Sequence, residues 1–141
     1  MLVVTGFGMI AGLSAAWALD VSGAKCPISG GPAKEEASAD YRGGKLYFCC
    51  NKCPQAFAGN QAKFATKANL QLAATGQAQQ GKCPISGKAL NADTALDVGG
   101  VSVTFCCNGC RKKVNNAEGD QQLDLVFSDT AFDKAFTVGS N

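Results

Sequence analysis

The chain has 141 residues, 46% hydrophobic and 17% charged, with a formal net charge of +2, 8 Cys and no His. That balance is too apolar for a disordered chain and too nearly neutral for an electrostatic nucleic-acid binder, so no nucleic-acid partner is expected. Without imidazole, Ser/His and Cys/His catalysis and the commonest nitrogen ligand for metals are excluded, which leaves sulfur as the atom to carry chemistry.

The first charged residue is Asp20 and the first base is Lys25. Before them an apolar run through Leu2, Val3, Val4, Phe7, Ile10, Leu13 and Trp17 ends in Ala16-Trp17-Ala18, the small-x-small pattern read by signal peptidases. Residues 1–18 are therefore expected to be a cleaved signal peptide. The mature protein is expected to be secreted or periplasmic, with no stable membrane insertion. A retained anchor or an ordinary buried segment are the competing readings, and Gly6, Gly8 and Gly12 weaken a spanning helix.

Next comes Lys25-Cys26-Pro27-Ile28-Ser29-Gly30, a turn in which Pro sets φ and Gly permits a left-handed residue. A hairpin is expected around Tyr41-Arg42-Gly43-Gly44-Lys45-Leu46-Tyr47-Phe48. It leads into Cys49-Cys50-Asn51-Lys52-Cys53 and a helical stretch from Pro54 to about Ala68 with Phe57 and Phe64 inward. Residues 73–81, rich in Ala, Gln and Gly, read as helix end and linker.

The same order then repeats. Lys82-Cys83-Pro84-Ile85-Ser86-Gly87 and Phe105-Cys106-Cys107-Asn108 with Cys110 restate the first set at a constant offset of 57 residues, and residues 25–57 and 82–114 share 13 identities without a gap. All eight cysteines lie in the repeated part, four to each copy. In the second copy Gly99-Gly100 is a two-residue hairpin turn between the alternating strands Leu96-Asp97-Val98 and Val101-Ser102-Val103-Thr104-Phe105. Short helices are expected from Arg111 to about Ala117, with Val114 inward, and from Asp129 to Phe136. The expected organisation is a first repeat over 19–76, a linker over 77–81 and a second repeat over 82–141. The fold class is α+β: two tandem small zinc-knuckle/treble-clef-like units, each a Cys turn, a β-hairpin and a helix.

Units of this size rarely bury enough apolar surface to fold alone, so disulfides or metal usually staple them. A Cys-x2-Cys turn between hairpin and helix presents two thiolates to one point, and a Cys on the preceding turn can fold over to meet them. Adjacent residues of a strand face opposite sides, which divides the roles of Cys49 and Cys50, and of Cys106 and Cys107. If the strand ends at Phe48, four thiolates can close a tetrahedral site; if it runs on, three sulfurs leave an open position better suited to Cu(I) or to metal transfer. The candidate ligands are Cys26, Cys49, Cys50 and Cys53, with Cys83, Cys106, Cys107 and Cys110, for a zinc or copper ion at about two per chain.

The pattern Cys-Pro-Ile-Ser-Gly, hairpin, then Phe-Cys-Cys-x-x-Cys resembles the TRASH and YHS class of cysteine-rich metal-binding domains over about 33 residues of each copy. The shared Cys-x22-Cys-x3-Cys spacing falls on Cys26, Cys49 and Cys53 and on Cys83, Cys106 and Cys110. The YHS form carries Asp-Pro-Val-Cys-Gly at the first turn. Here Cys stands at the Asp place, and Ser29 or Ser86 at the Cys place. The resemblance implies binding of zinc, copper or another soft ion for sensing, trafficking or resistance.

Two other functions compete. An oxidising compartment and an even cysteine count suit a disulfide-stapled structural or interaction module without metal. Cys50-Asn51-Lys52-Cys53 and Cys107-Asn108-Gly109-Cys110 have the Cys-x-x-Cys spacing of dithiol redox proteins, but no βαβ pattern accompanies them. Arg111-Lys112-Lys113 reads as a solvated helix face. Glu35-Glu36 has no repeated acidic partner, and Phe132 and Phe136 read as core. No enzymatic turnover is expected.

Overall fold

The computed structural model describes residues 21–139; the expected signal peptide over 1–18 lies outside them. It has the expected α+β class: two units, each a hairpin, a helix and a cysteine cluster.

In the first unit β1 (Lys34–Tyr41) pairs antiparallel with β2 (Gly44–Phe48), and in the second β4 (Asn91–Val98) pairs with β5 (Val101–Phe105). Both turns place two residues at positive φ, Arg42 and Gly43 at 52° and 81°, Gly99 and Gly100 at 63° and 88°. This twist matches that of the flanking strands. A register shift in the first strand, between Lys34 and Ser38 and between Asn91 and Leu96, recurs at the same place in each hairpin.

The helices differ from expectation in their limits. The single helix expected over 54–68 is two: α1 (Cys53–Gly59), with a proline in its first turn, and α2 (Gln61–Ala74). Asn60, at φ −154° and ψ 55°, interrupts them, and the preceding Gly59 adds a second poor helix former at the break. In the second unit α3 (Asn108–Asn115) and α5 (Asp129–Ala135) fall near their expected places. Between them α4 (Gly119–Phe127) had no sequence-based counterpart.

Within 77–81, expected to link the units, Ala78–Gln80 form β3, which pairs antiparallel with β6 (Phe136–Val138). Each of these strands follows the last helix of its own unit, so their pairing has the form of a pseudo-twofold contact between the copies. Among the described residues the two units share one main core, beside which Val21, Ala24 and Tyr47 form a small second cluster in the first unit. The main core contains Leu46, Phe48, Phe57 and Leu72 from the first copy with Phe105, Val126, Phe127 and Phe132 from the second, all fully or almost fully buried. Phe64, expected inward, is only half-buried. Among the described residues no helix is long and apolar enough to cross a membrane.

Glutamines close the free edges of the hairpins. The Gln71 side chain accepts a hydrogen bond from the Tyr47 amide at 2.7 Å and donates to the carbonyls of Tyr47 and Lys25 at 2.7 and 2.9 Å. Gln80 does the same for the second unit, accepting from the Thr104 amide at 2.9 Å and donating to Thr104 and Lys82 at 2.6 and 3.1 Å. Tyr47 and Thr104, and Lys25 and Lys82, are equivalent positions of the repeat, yet one glutamine comes from α2 and the other from β3. Each side chain acts as a short stand-in for a third strand and satisfies backbone groups that the core would otherwise strand without partners.

Arg42 joins the first hairpin to the second unit. Its guanidinium pairs with Asp129 at 2.7 Å and with Asp133, and lies 5.3 Å from the Phe132 ring centroid. Among the described residues it is the one non-glycine at positive φ, so these contacts hold a conformation that a β-carbon disfavours.

One shared core predicts one unfolding transition. Phe127→Ala should cost about 3–5 kcal/mol, as large aromatic truncations do. It should lower the urea midpoint and weaken hydrogen-exchange protection in both hairpins together. Two separate transitions, with the β1–β2 amides unaffected, would contradict a common core.

Candidate metal centre

Each centre is assembled from three short segments. The first cysteine sits at the base of a closed turn: the Gly30 amide bonds to the Cys26 carbonyl at 2.9 Å and the Cys26 amide to the Gly31 carbonyl at 2.8 Å. In the second copy Gly87 bonds to Cys83 at 2.8 Å and Cys83 to Lys88 at 3.0 Å. Gly30 and Gly87, at φ 74° and 72°, supply the left-handed residue that the turn needs. The second cysteine, Cys49 or Cys106, follows the last residue of its hairpin directly. The third, Cys53 or Cys110, lies on the first turn of α1 or α3.

These positions converge. The sulfurs of Cys26, Cys49 and Cys53 all lie within 4.8 Å of one another, as do those of Cys83, Cys106 and Cys110. Cys49 and Cys53 Sγ are 3.5 Å apart, and Cys106 and Cys110 Sγ 3.6 Å. A tetrahedral ion with bonds of about 2.3 Å to sulfur needs sulfur–sulfur separations of roughly 3.8 Å, so these thiols are spaced to share one ion. Cys26, Cys53 and Cys83 are buried; Cys49, Cys106 and Cys110 are half-buried.

The strands end at Phe48 and Phe105, the condition under which four thiols could close a site. Cys50 and Cys107 nevertheless stand outside the triads and are exposed. They touch the rim, with Cys50 Sγ 3.5 Å from Cys53 Sγ and Cys107 Sγ 3.7 Å from Cys106 Sγ.

The electrostatics suit a bound cation. Burial raises the Cys26 thiol, but the amides of Ser29, Cys49 and Ile28 and the Ser29 hydroxyl outweigh it and bring its pKa down to about 7. Cys83 is likewise brought to about 7, against burial, by the hydroxyl and amide of Ser86 and the amides of Cys106 and Ile85. Cys53 and Cys110 go the other way. Burial, then the neighbouring thiols, push each to about 12. With protons alone Cys26 and Cys83 ionise far more readily than Cys53 and Cys110, whereas a coordinated cation would let both members of each pair ionise.

Sequence reasoning named all eight cysteines but gave no role to the serines. The Ser29 hydroxyl donates to Cys49 Sγ at 3.2 Å and Ser86 to Cys106 Sγ at 3.0 Å. Each also receives a backbone amide two residues on, at 3.2 Å, which orients it. Their recurrence within Cys-Pro-Ile-Ser-Gly was the available signal. Where a metal is bound, contacts of this kind orient and tune its ligands.

A cleft of about 360 Å³ opens beside the Cys26 turn, between Lys25, Lys67, Leu70, Gln71, Gly99 and Leu123. Its buried amide, Gln71, is already fully bonded to the backbone. Among the described residues the two cysteine clusters are the groups that could hold a metal ion. Compared with family models, with curated proteins and with solved structures, the chain matches none of them.

Exposure and acidity coincide at two thiols. Hydrogen bonding to the Lys52 amide and to neighbouring Cys53 lowers the Cys50 pKa, and the Cys110 amide with the Cys106 thiol lowers that of Cys107. In reduced, metal-free protein at pH 7, iodoacetamide should therefore label Cys50 and Cys107 first, as peptide mass mapping would show. Cys26 and Cys83 should lag despite their acidity, because they are buried. Labelling of Cys26 or Cys83 at a comparable rate would show that the turns are open.

Proposed function

We propose that the protein binds thiophilic metal ions of the zinc or copper class, one per unit, outside the cytoplasm, for metal handling and not for catalytic turnover. The observation that carries this reading is the convergence of three sulfurs within 4.8 Å in both copies. Cys26, Cys49 and Cys53 hold one ion and Cys83, Cys106 and Cys110 the other, with Ser29 and Ser86 supporting the second ligand of each. All-sulfur donors favour soft or borderline ions over Mg²⁺ or Ca²⁺. The resemblance of the motif to TRASH and YHS domains points the same way. The charge-free apolar N-terminus ending in Ala16-Trp17-Ala18 supports the extracytoplasmic address.

Metal analysis and free-thiol counting on protein purified without reductant test this reading. About two ions per chain are expected, matching the two clusters. No metal and no free thiol would favour the disulfide-stapled module instead. Cys26→Ser should leave one ion, held by the second unit, and Cys83→Ser should leave the other; loss of both from either variant would mean that the sites are not separate. Affinity should fall on acidification, because protons compete for the ligands. The fall should be steeper below pH 7, where Cys26 and Cys83 must lose a proton in addition to Cys53 and Cys110.

A further inference from the structure

Each unit carries one cysteine more than its triad, and this surplus is arranged alike in both. Cys50 and Cys107 are exposed, while their three neighbours are buried or half-buried. The triads superimpose in spacing, with corresponding pairs at 3.5 and 3.6 Å. The fourth sulfur stands beside each triad without joining it. Cys50 Sγ sits 3.5 Å from Cys53, the helix ligand, whereas Cys107 Sγ sits 3.7 Å from Cys106, the hairpin ligand. In both units the fourth sulfur thus lies against the triad from the solvent side. Three positions are held by turn, hairpin and helix; the fourth is on the solvent side.

From this arrangement we propose that Cys50 and Cys107 are displaceable fourth ligands, through which each unit passes its ion to a thiolate of an acceptor molecule. This rests on the metal-binding reading above. In the exchange the bond from the ion to Cys50 Sγ breaks and a bond to the incoming sulfur forms. The proton released by the acceptor thiol goes to Cys50, and no electrons change hands. Attack comes from the exposed side, where Cys50 and Cys107 lie, because Cys26, Cys53 and Cys83 are buried. The three inner sulfurs keep hold of the ion until the acceptor is bound, so the ion need not pass through water. A fourth ligand locked as firmly as the other three would make a closed structural site; an exposed one makes a site of exchange.

The test uses the full chain loaded with Cd²⁺, with dithiothreitol as the thiol acceptor. The double variant Cys50→Ser, Cys107→Ser should still bind about two ions per chain, at the two triads. Its affinity should be weaker on the order of 10- to 100-fold, the size of effect seen when a supporting group is lost and the principal ligands remain. Transfer to dithiothreitol should quicken, because the acceptor no longer has to displace a protein sulfur. In loaded wild-type protein, iodoacetamide should label Cys50 and Cys107 while the six triad thiols stay protected, a readout independent of whether the variant folds. Protection of all eight thiols, or loss of Cd²⁺ from the variant, would overturn the proposal by making the fourth cysteine an integral ligand. Affinity and transfer equal to wild type would overturn it by making that cysteine a bystander. Failure of the wild type to take up Cd²⁺ would instead overturn the metal-binding reading itself.

Discussion

Three thiols held within 4.8 Å of one another, twice over, are the constraint around which this fold is organised. Sulfurs so close repel as thiolates and gain little as neutral thiols, since S–H is a weak donor. Packing alone gives no reason to place them together. The backbone spends its most specific geometry on doing so: a glycine-closed turn at Cys26 and Cys83, a hairpin that stops one residue before Cys49 and Cys106, and a helix whose first turn carries Cys53 and Cys110. The amides around the turn cysteine and the hydroxyls of Ser29 and Ser86 complete a shell that favours negative charge on sulfur.

The rest of the molecule supports those two positions. Each hairpin alone is a two-stranded sheet, marginal in water by itself. Gln71 and Gln80 cap the free edges, and the pairing of β3 with β6 ties the units back to back. The shared core gives two small clusters a common rigid base that neither unit has the apolar residues to build. Arg42 adds a charged tether from the first hairpin to Asp129 and Asp133 of the second unit. The copies have diverged where they meet. Arg42 in one turn corresponds to Gly99 in the other, where a β-carbon would lie 2.9 Å from Leu123 and 3.1 Å from Leu70.

Much of this was legible in the residues. The offset of 57 located the units, Gly99-Gly100 and Gly43 located the turns, and the cysteine spacing located both triads, because these features depend on local backbone geometry and on chemistry that few residue types supply. Elements that depend on distant partners were not legible. The three residues of β3 are Ala-Gln-Gln, with no strand pattern, and become a strand because Phe136–Val138 lies alongside. Gln71 and Gln80 perform one task from unrelated sequence positions, so the repeat could not reveal them. The placement of Cys50 outside its triad turned on side-chain direction past the end of a strand, which alternation rules do not reach.

The convergence of sulfurs has one direct experimental counterpart: a crystal structure of the metal-loaded protein with anomalous data collected at the absorption edge of the bound ion. Two anomalous peaks should appear, one in contact with the sulfurs of Cys26, Cys49 and Cys53 and one with those of Cys83, Cys106 and Cys110, at about 2.3 Å for zinc. Covalent density joining cysteines of these triads in pairs, or peaks lying away from both, would contradict the assignment of the two clusters as metal centres.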